Sequence, residues 1–129
     1  MSGLRTCLAL MALFLPISPA VALPATAANP TMDFAACTGR LSALMEHQWI
    51  VDPPASERTR QQRARMIDLL EATMHPADGR AVLNRRVEAK TAQALLLTRA
   101  RNGSHPRDAA QAGRLSERAL SACLSLLLS

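Results

Sequence analysis

From Asp33 onward the chain is written in helix-forming residues and is broken at only three places. Ala, Leu, Arg, Gln, Glu and Met dominate, and runs of β-branched or aromatic residues are missing, a text that favours helix over strand. The breaks are Asp52-Pro53-Pro54, His75-Pro76-Ala77-Asp78-Gly79 and Asn102-Gly103-Ser104-His105-Pro106. Each combines proline, glycine or a cap former, as helix ends require. Four helices are the consequence, and the fold class is all-α.

Apolar residues three and four apart assign a face to each helix. The first runs from Asp33, as N-cap, to about Val51, with Phe34, Cys37, Leu41, Leu44, Met45 and Trp49 inward. In the second, Ser56 is the expected N-cap and Glu57 suits the positive end of the helix dipole. Met66, Ile67, Leu70 and Met74 then face the core. The third runs from Asp78 to Arg101, with Leu83, Val87, Ala94 and Leu97 inward and Gly103 as the residue just past its end. The fourth opens at Pro106, a favoured first-turn proline, and presents Ala112, Leu115, Ala119, Cys123, Leu126 and Leu127. The apolar run Leu124-Ser125-Leu126-Leu127-Leu128 either completes the core or exposes a patch. Continuity with Leu115 and Cys123 favours the core.

Short connections make neighbouring helices antiparallel, and the simplest packing is an up-down four-helix bundle. That topology puts the start of the first helix and the end of the fourth at one end. Cys37 and Cys123 sit at those places, which predicts an intramolecular Cys37–Cys123 disulfide closing the bundle. The bond needs Cα atoms nearer than packed helix axes usually allow. Small neighbours, Ala36 and Gly39 on one side and Ala119 and Ala122 on the other, are expected to let these two helices touch.

The N-terminus reads as an export signal. Arg5 is a thin positive region, Leu8 to Leu15 an apolar run, and Pro16 and Pro19 precede two small-x-small sites, Ala20-Val21-Ala22 and Ala25-Thr26-Ala27. The apolar run is short of the roughly 20 residues that span a bilayer, which favours cleavage over an uncleaved anchor. Cys7 lies before that run, where no lipoprotein cysteine could be. The expected organisation is a signal peptide over 1–22, with cleavage as late as 27, a disordered leader over 23–32, and a helical domain over 33–129. Export places the two remaining cysteines in an oxidising compartment, where a pair reads first as a disulfide.

Composition excludes several function classes. Removing Arg5 lowers the formal net charge from +5 to +4, a modest excess giving weak attraction to anionic surfaces. Beyond the signal, Phe34 and Trp49 are the only aromatic residues, too few for base stacking, so nucleic acid is not an expected partner. No CxxC, CxxCH, GxSxG, HExxH or glycine-rich phosphate loop is present, and no cofactor or enzymatic activity is expected. Carboxylates stand singly near arginines, as in Arg65/Asp68, Arg85/Glu88 and Arg114/Glu117, the pattern of a solvated helix face. Arg58, Arg60, Arg63 and Arg65 wrap around the second helix, with Glu57, Asp68 and Glu71 interspersed.

The densest cluster of unusual side chains is Met45-Glu46-His47-Gln48-Trp49. His47 closes the first helix and His105 opens the fourth, at one end of the bundle, whereas His75 lies at the other. Glu46, His47 and His105, with Asp52 or Asp108, are the candidate metal or small-ligand set. Against it stand the absence of zinc-type ligand spacing and the ordinary reading of Glu46 as a surface acid and His47 as a partner of the helix dipole. The leading expectation is an exported, periplasmic accessory protein that works by surface contact with another periplasmic protein and has no stable membrane span once processed. The alternatives are a metal- or ligand-binding bundle and an unrecognised enzyme.

Overall fold

A computed structural model describes residues 29–128; the expected signal and cleavage sites lie outside them. The described residues hold four α-helices and no strand: α1 (Pro30–Val51), α2 (Pro53–Thr73), α3 (Gly79–Asn102) and α4 (Pro106–Ser125), with a 3-10 turn at Pro76–Asp78.

Proline sets where three of these helices begin. A first-turn proline has its φ already helical and lacks an N–H that would go unpaired there. Pro30 therefore opens α1 behind Asn29, whose side chain accepts from the Met32 N–H. The cap thus lies four residues before the Asp33 cap read from sequence, inside the stretch expected to be leader. Pro53 and Pro54 likewise belong to α2 and do not form a linker to a Ser56 cap. Asp52 alone makes the corner. Its N–H donates to the Gln48 carbonyl at 2.7 Å, closing α1, and its carboxylate accepts from the Ala55 N–H at 3.1 Å, opening α2. Ser56 is buried instead, with its hydroxyl donating to the Met45 carbonyl at 2.9 Å.

The position of α1 dominates the packing. It lies broadly against both α2 and α3 and meets α4 as well, whereas α2 has no comparable contact with α3 or α4 among the described residues. Consequently Ala35, Ala36, Cys37, Thr38, Gly39, Leu41, Ser42 and Ala43 are all buried, so burial in this half of α1 is not confined to one apolar stripe. Small residues make that possible. Thr38 and Ser42 satisfy their hydroxyls on the carbonyls four residues back, each at 2.8 Å.

The Thr31 hydroxyl donates to the Thr73 carbonyl at 3.0 Å and Thr59 donates to Gln48 at 2.6 Å, so α2 runs antiparallel to α1. Along α3, Val82 packs with Ala35 and Lys90 reaches Glu46, so α3 runs parallel to α1. Gln93 on α3 donates to Ser116 on α4 at 2.7 Å, a buried polar bridge between those two helices.

Gly39 fits against α3, where a Cβ would collide with the Arg86 carbonyl oxygen and come within 3.0 Å of the Lys90 nitrogen. Its purpose is therefore the α1–α3 approach, in place of the expected contact between α1 and α4. The buried face of α3 is correspondingly Val82, Ala89 and Gln93. Leu83 and Val87, read as inward, point out. Gly103 caps α3 with extended backbone, φ −63° and ψ 129°, in place of a left-handed C′ conformation. A Cβ there would stand 2.6 Å from the Arg99 carbonyl and 3.3 Å from the Ala109 Cβ.

Cys37 and Cys123 form the expected disulfide, their Cα atoms 5.3 Å apart. Both sulfurs are buried in a cluster with Leu41 and Met66, against which Phe34, Leu69, Leu120, Leu124, Leu126 and Leu127 pack. The C-terminal leucines thus complete the core, with Leu128 exposed. Arg40 lies over the bridge, its guanidinium 3.7 Å from the Cys123 sulfur. Burial, then repulsion from Arg85, lowers the pKa of Arg40 from its ordinary value, and Asp33 opposes that shift.

Two outcomes follow from this packing. Gly39→Ala should destabilise the protein by roughly 1–3 kcal/mol in urea unfolding, because overpacking against backbone outweighs the helix propensity gained, at most about 1 kcal/mol; a stabilised variant would contradict the close α1–α3 approach. The bridge closes a loop across 86 residues, so Cys37→Ser with Cys123→Ser should cost up to about 4–5 kcal/mol by the same measurement.

Candidate functional site

Because α2 and α3 both rest on α1 and not on each other, a furrow opens between them with α1 as its floor. Two hollows compose it. The first, about 440 Å³, lies between the end of α1 and the start of α2 and is lined by Met45, Glu46, Trp49, Ile50, Ser56, Glu57 and Arg60. The second, about 300 Å³, is lined by Gly39, Ser42, Met45 and Glu46 of α1, Arg63 of α2, and Leu83, Arg86, Val87 and Lys90 of α3. Met45 and Glu46 line both and make the furrow continuous.

Its apolar content is unusual for a surface. Trp49 is 72% exposed, Ile50 75%, Leu83 57% and Val87 56%. Trp49 was expected in the core on its four-residue spacing from Met45. It is exposed because the enclosed part of α1 ends at Ala43, and α1 continues past it to the Asp52 corner. Met74, expected in the core of α2, and Leu115, expected in that of α4, are exposed as well.

Charge in the furrow is positive on balance. Four cationic side chains, Arg60, Arg63, Arg86 and Lys90, face two carboxylates, Glu46 and Glu57. Lys90 pairs with Glu46 at 2.6 Å, linking α3 to α1. Arg60 pairs with Glu57 through two hydrogen bonds of 2.8 and 2.6 Å. Arg63 donates to the Ser42 hydroxyl at 2.7 Å. Among the described residues neither Arg63 nor Arg86 has a carboxylate partner. Of the three Arg–carboxylate pairs anticipated on helix faces, only Arg85–Glu88 forms, at 3.9 Å.

The candidate metal set is not assembled. Glu46 is engaged by Lys90. His47 is half-buried near the end of α1, and His105 lines a separate hollow with Pro106, Arg107 and Asp108 at the start of α4. Among the described residues no group of three or more His, Cys, Asp or Glu side chains could hold a metal ion. Nor is any described helix long and apolar enough to cross a membrane.

The residues that line the furrow were visible in sequence, but their common surface was not. Glu46 was singled out; Arg60 and Arg63 read as a solvated run, and Leu83 and Val87 as core. One signal could have separated them. Val82, Ala89 and Gln93, seven and four residues apart, form a second stripe on α3, leaving Leu83 and Val87 on the open side.

Glu57 supplies a pH-dependent element. Hydrogen bonding to Arg60, chiefly, holds its carboxyl below the ordinary carboxylate range. The pair therefore contributes above that range and is lost as pH falls through the lowered value. Arg60→Ala should raise the Glu57 pKa in a carboxyl-carbon NMR titration, and an unchanged midpoint would remove this ion pair from the solution structure. Comparison with models of protein families, with curated proteins and with solved structures gives no match for this chain.

Proposed function

We propose that this chain is an exported accessory protein that acts by surface contact, with the furrow between α2 and α3 as its working face. One observation carries the reading: Trp49, Ile50, Leu83 and Val87 are each more than half exposed and gather along one recess. Exposed apolar groups rimmed by polar ones mark interaction sites, and tryptophan and arginine are enriched among residues that dominate binding energy. The disulfide supports an oxidising compartment, as do the signal-like features at the N-terminus. The up-down bundle is then a scaffold that keeps this face rigid.

In cells expressing the full chain, protein recovered from the periplasm should begin at Leu23 or Ala28. A photo-crosslinking side chain placed at Ile50 should give a discrete adduct with another protein there, and the same label at exposed Glu117 should not. Retention of the chain in the cytosol, or equal labelling from both positions, would overturn the reading.

A further inference from the structure

We infer that the furrow receives an acidic amphipathic helix of about three turns, presented by a partner protein. The inference rests on the surface-contact reading above and specifies the partner's chemistry. From Gly39 to Ile50 the α1 floor is about 17 Å long at 1.5 Å per residue, the length of about eleven helical residues. Its walls differ in a way that suits one helix lying lengthwise. Leu83 and Val87, four apart on α3, form an apolar rail on one side. Met45, Trp49 and Ile50 continue the apolar surface toward the corner. Arg63 stands on the α2 wall and Arg86 on the α3 wall, neither with a carboxylate partner among the described residues.

An apolar stripe on the incoming helix would cover the floor and rail, and flanking carboxylates would meet the arginines on both sides. Arginine is well suited to this role, because its planar fork binds a carboxylate through two parallel hydrogen bonds. The same charge balance disfavours a second copy of this chain, whose own furrow would bring like charges together. The recessed shape disfavours a flat lipid surface, since Arg63 of α2 and Leu83, Arg86 and Val87 of α3 line the second hollow from both sides. Helix-in-groove binding reads three- and four-residue anchors in this manner.

Trp49, the only tryptophan of the chain, reports occupancy directly. The probe is a synthetic peptide roughly 14 residues long, with leucines three and four apart and glutamates elsewhere. Its counterpart carries lysine at every glutamate position. The glutamate peptide should shift Trp49 emission to the blue on saturable binding, and the lysine peptide should bind at least tenfold more weakly. Leu83→Glu and Arg86→Glu, shown to be folded by circular dichroism, should each weaken the glutamate peptide at least tenfold.

Equal binding of the two peptides, or no effect of either substitution, would overturn the proposal. So would a blue shift given by phosphatidylglycerol vesicles but not by the glutamate peptide, or by self-association at rising protein concentration alone. If Ile50 cross-links a discrete partner while the glutamate peptide fails to bind, the acidic helix falls and the surface-contact reading stands. Absence of both falls on the surface-contact reading as well.

Discussion

Everything else in this fold depends on how closely α3 approaches α1 at Gly39, where the backbone of one helix meets the backbone of the other without a side chain between them. Close approach buries α1 against α3, leaves α2 a second flank, and places the start of α1 where α4 can reach Cys37. The helix so enclosed is built from Ala, Thr, Ser, Cys and Gly with a single large apolar residue, Leu41, fully buried among them. Hydrophobic area per residue is therefore modest, and packing density at short interaxial distance takes its place. The disulfide acts on the same helix from a third side, by restricting the unfolded chain.

The furrow is the geometric complement of that arrangement. Of the three helices that rest on α1, only α3 and α4 are in broad contact with each other, and the furrow lies where α2 and α3 part. Polar ties keep the gap fixed: Lys90 to Glu46 across α3 and α1, and Arg63 to Ser42 across α2 and α1. An exposed ion pair such as Lys90–Glu46 contributes little to stability. The two ties hold the walls at set positions, so that the apolar rail and the two arginines without carboxylate partners keep a constant spacing.

Helix count, the three interruptions, the first-turn proline of α4 and the cysteine pairing were all legible in the residues. These features rest on local chemistry, or on one long-range pair with a clear topological consequence. Helix faces were less legible, for a physical reason. Periodicity assumes one buried stripe per helix, with large apolar side chains in it. On α3 the buried stripe is Val82, Ala89 and the polar Gln93, while Leu83 and Val87 lie outside, so hydrophobicity pointed to the wrong face. On α1 burial is not confined to one stripe up to Ala43 and then stops, so Trp49 kept the period of a core residue after the core had ended. The helix starts at Pro30 and Pro53 were missed because proline was read as a break before a helix, when at N1 it is the helix's first residue.

The most buried helix comes first among the described helices and its three neighbours follow, which bears on how the molecule can be built. An emerging α1 has no partner until α2 and then α3 have followed it, and its sulfur waits for a cysteine 86 positions downstream. A pillar made of large apolar residues would be sticky throughout that interval. One made of alanine, threonine, serine and glycine offers little for a stray chain to adhere to, and the leucine-rich segment that packs over the bridge is the last to be made.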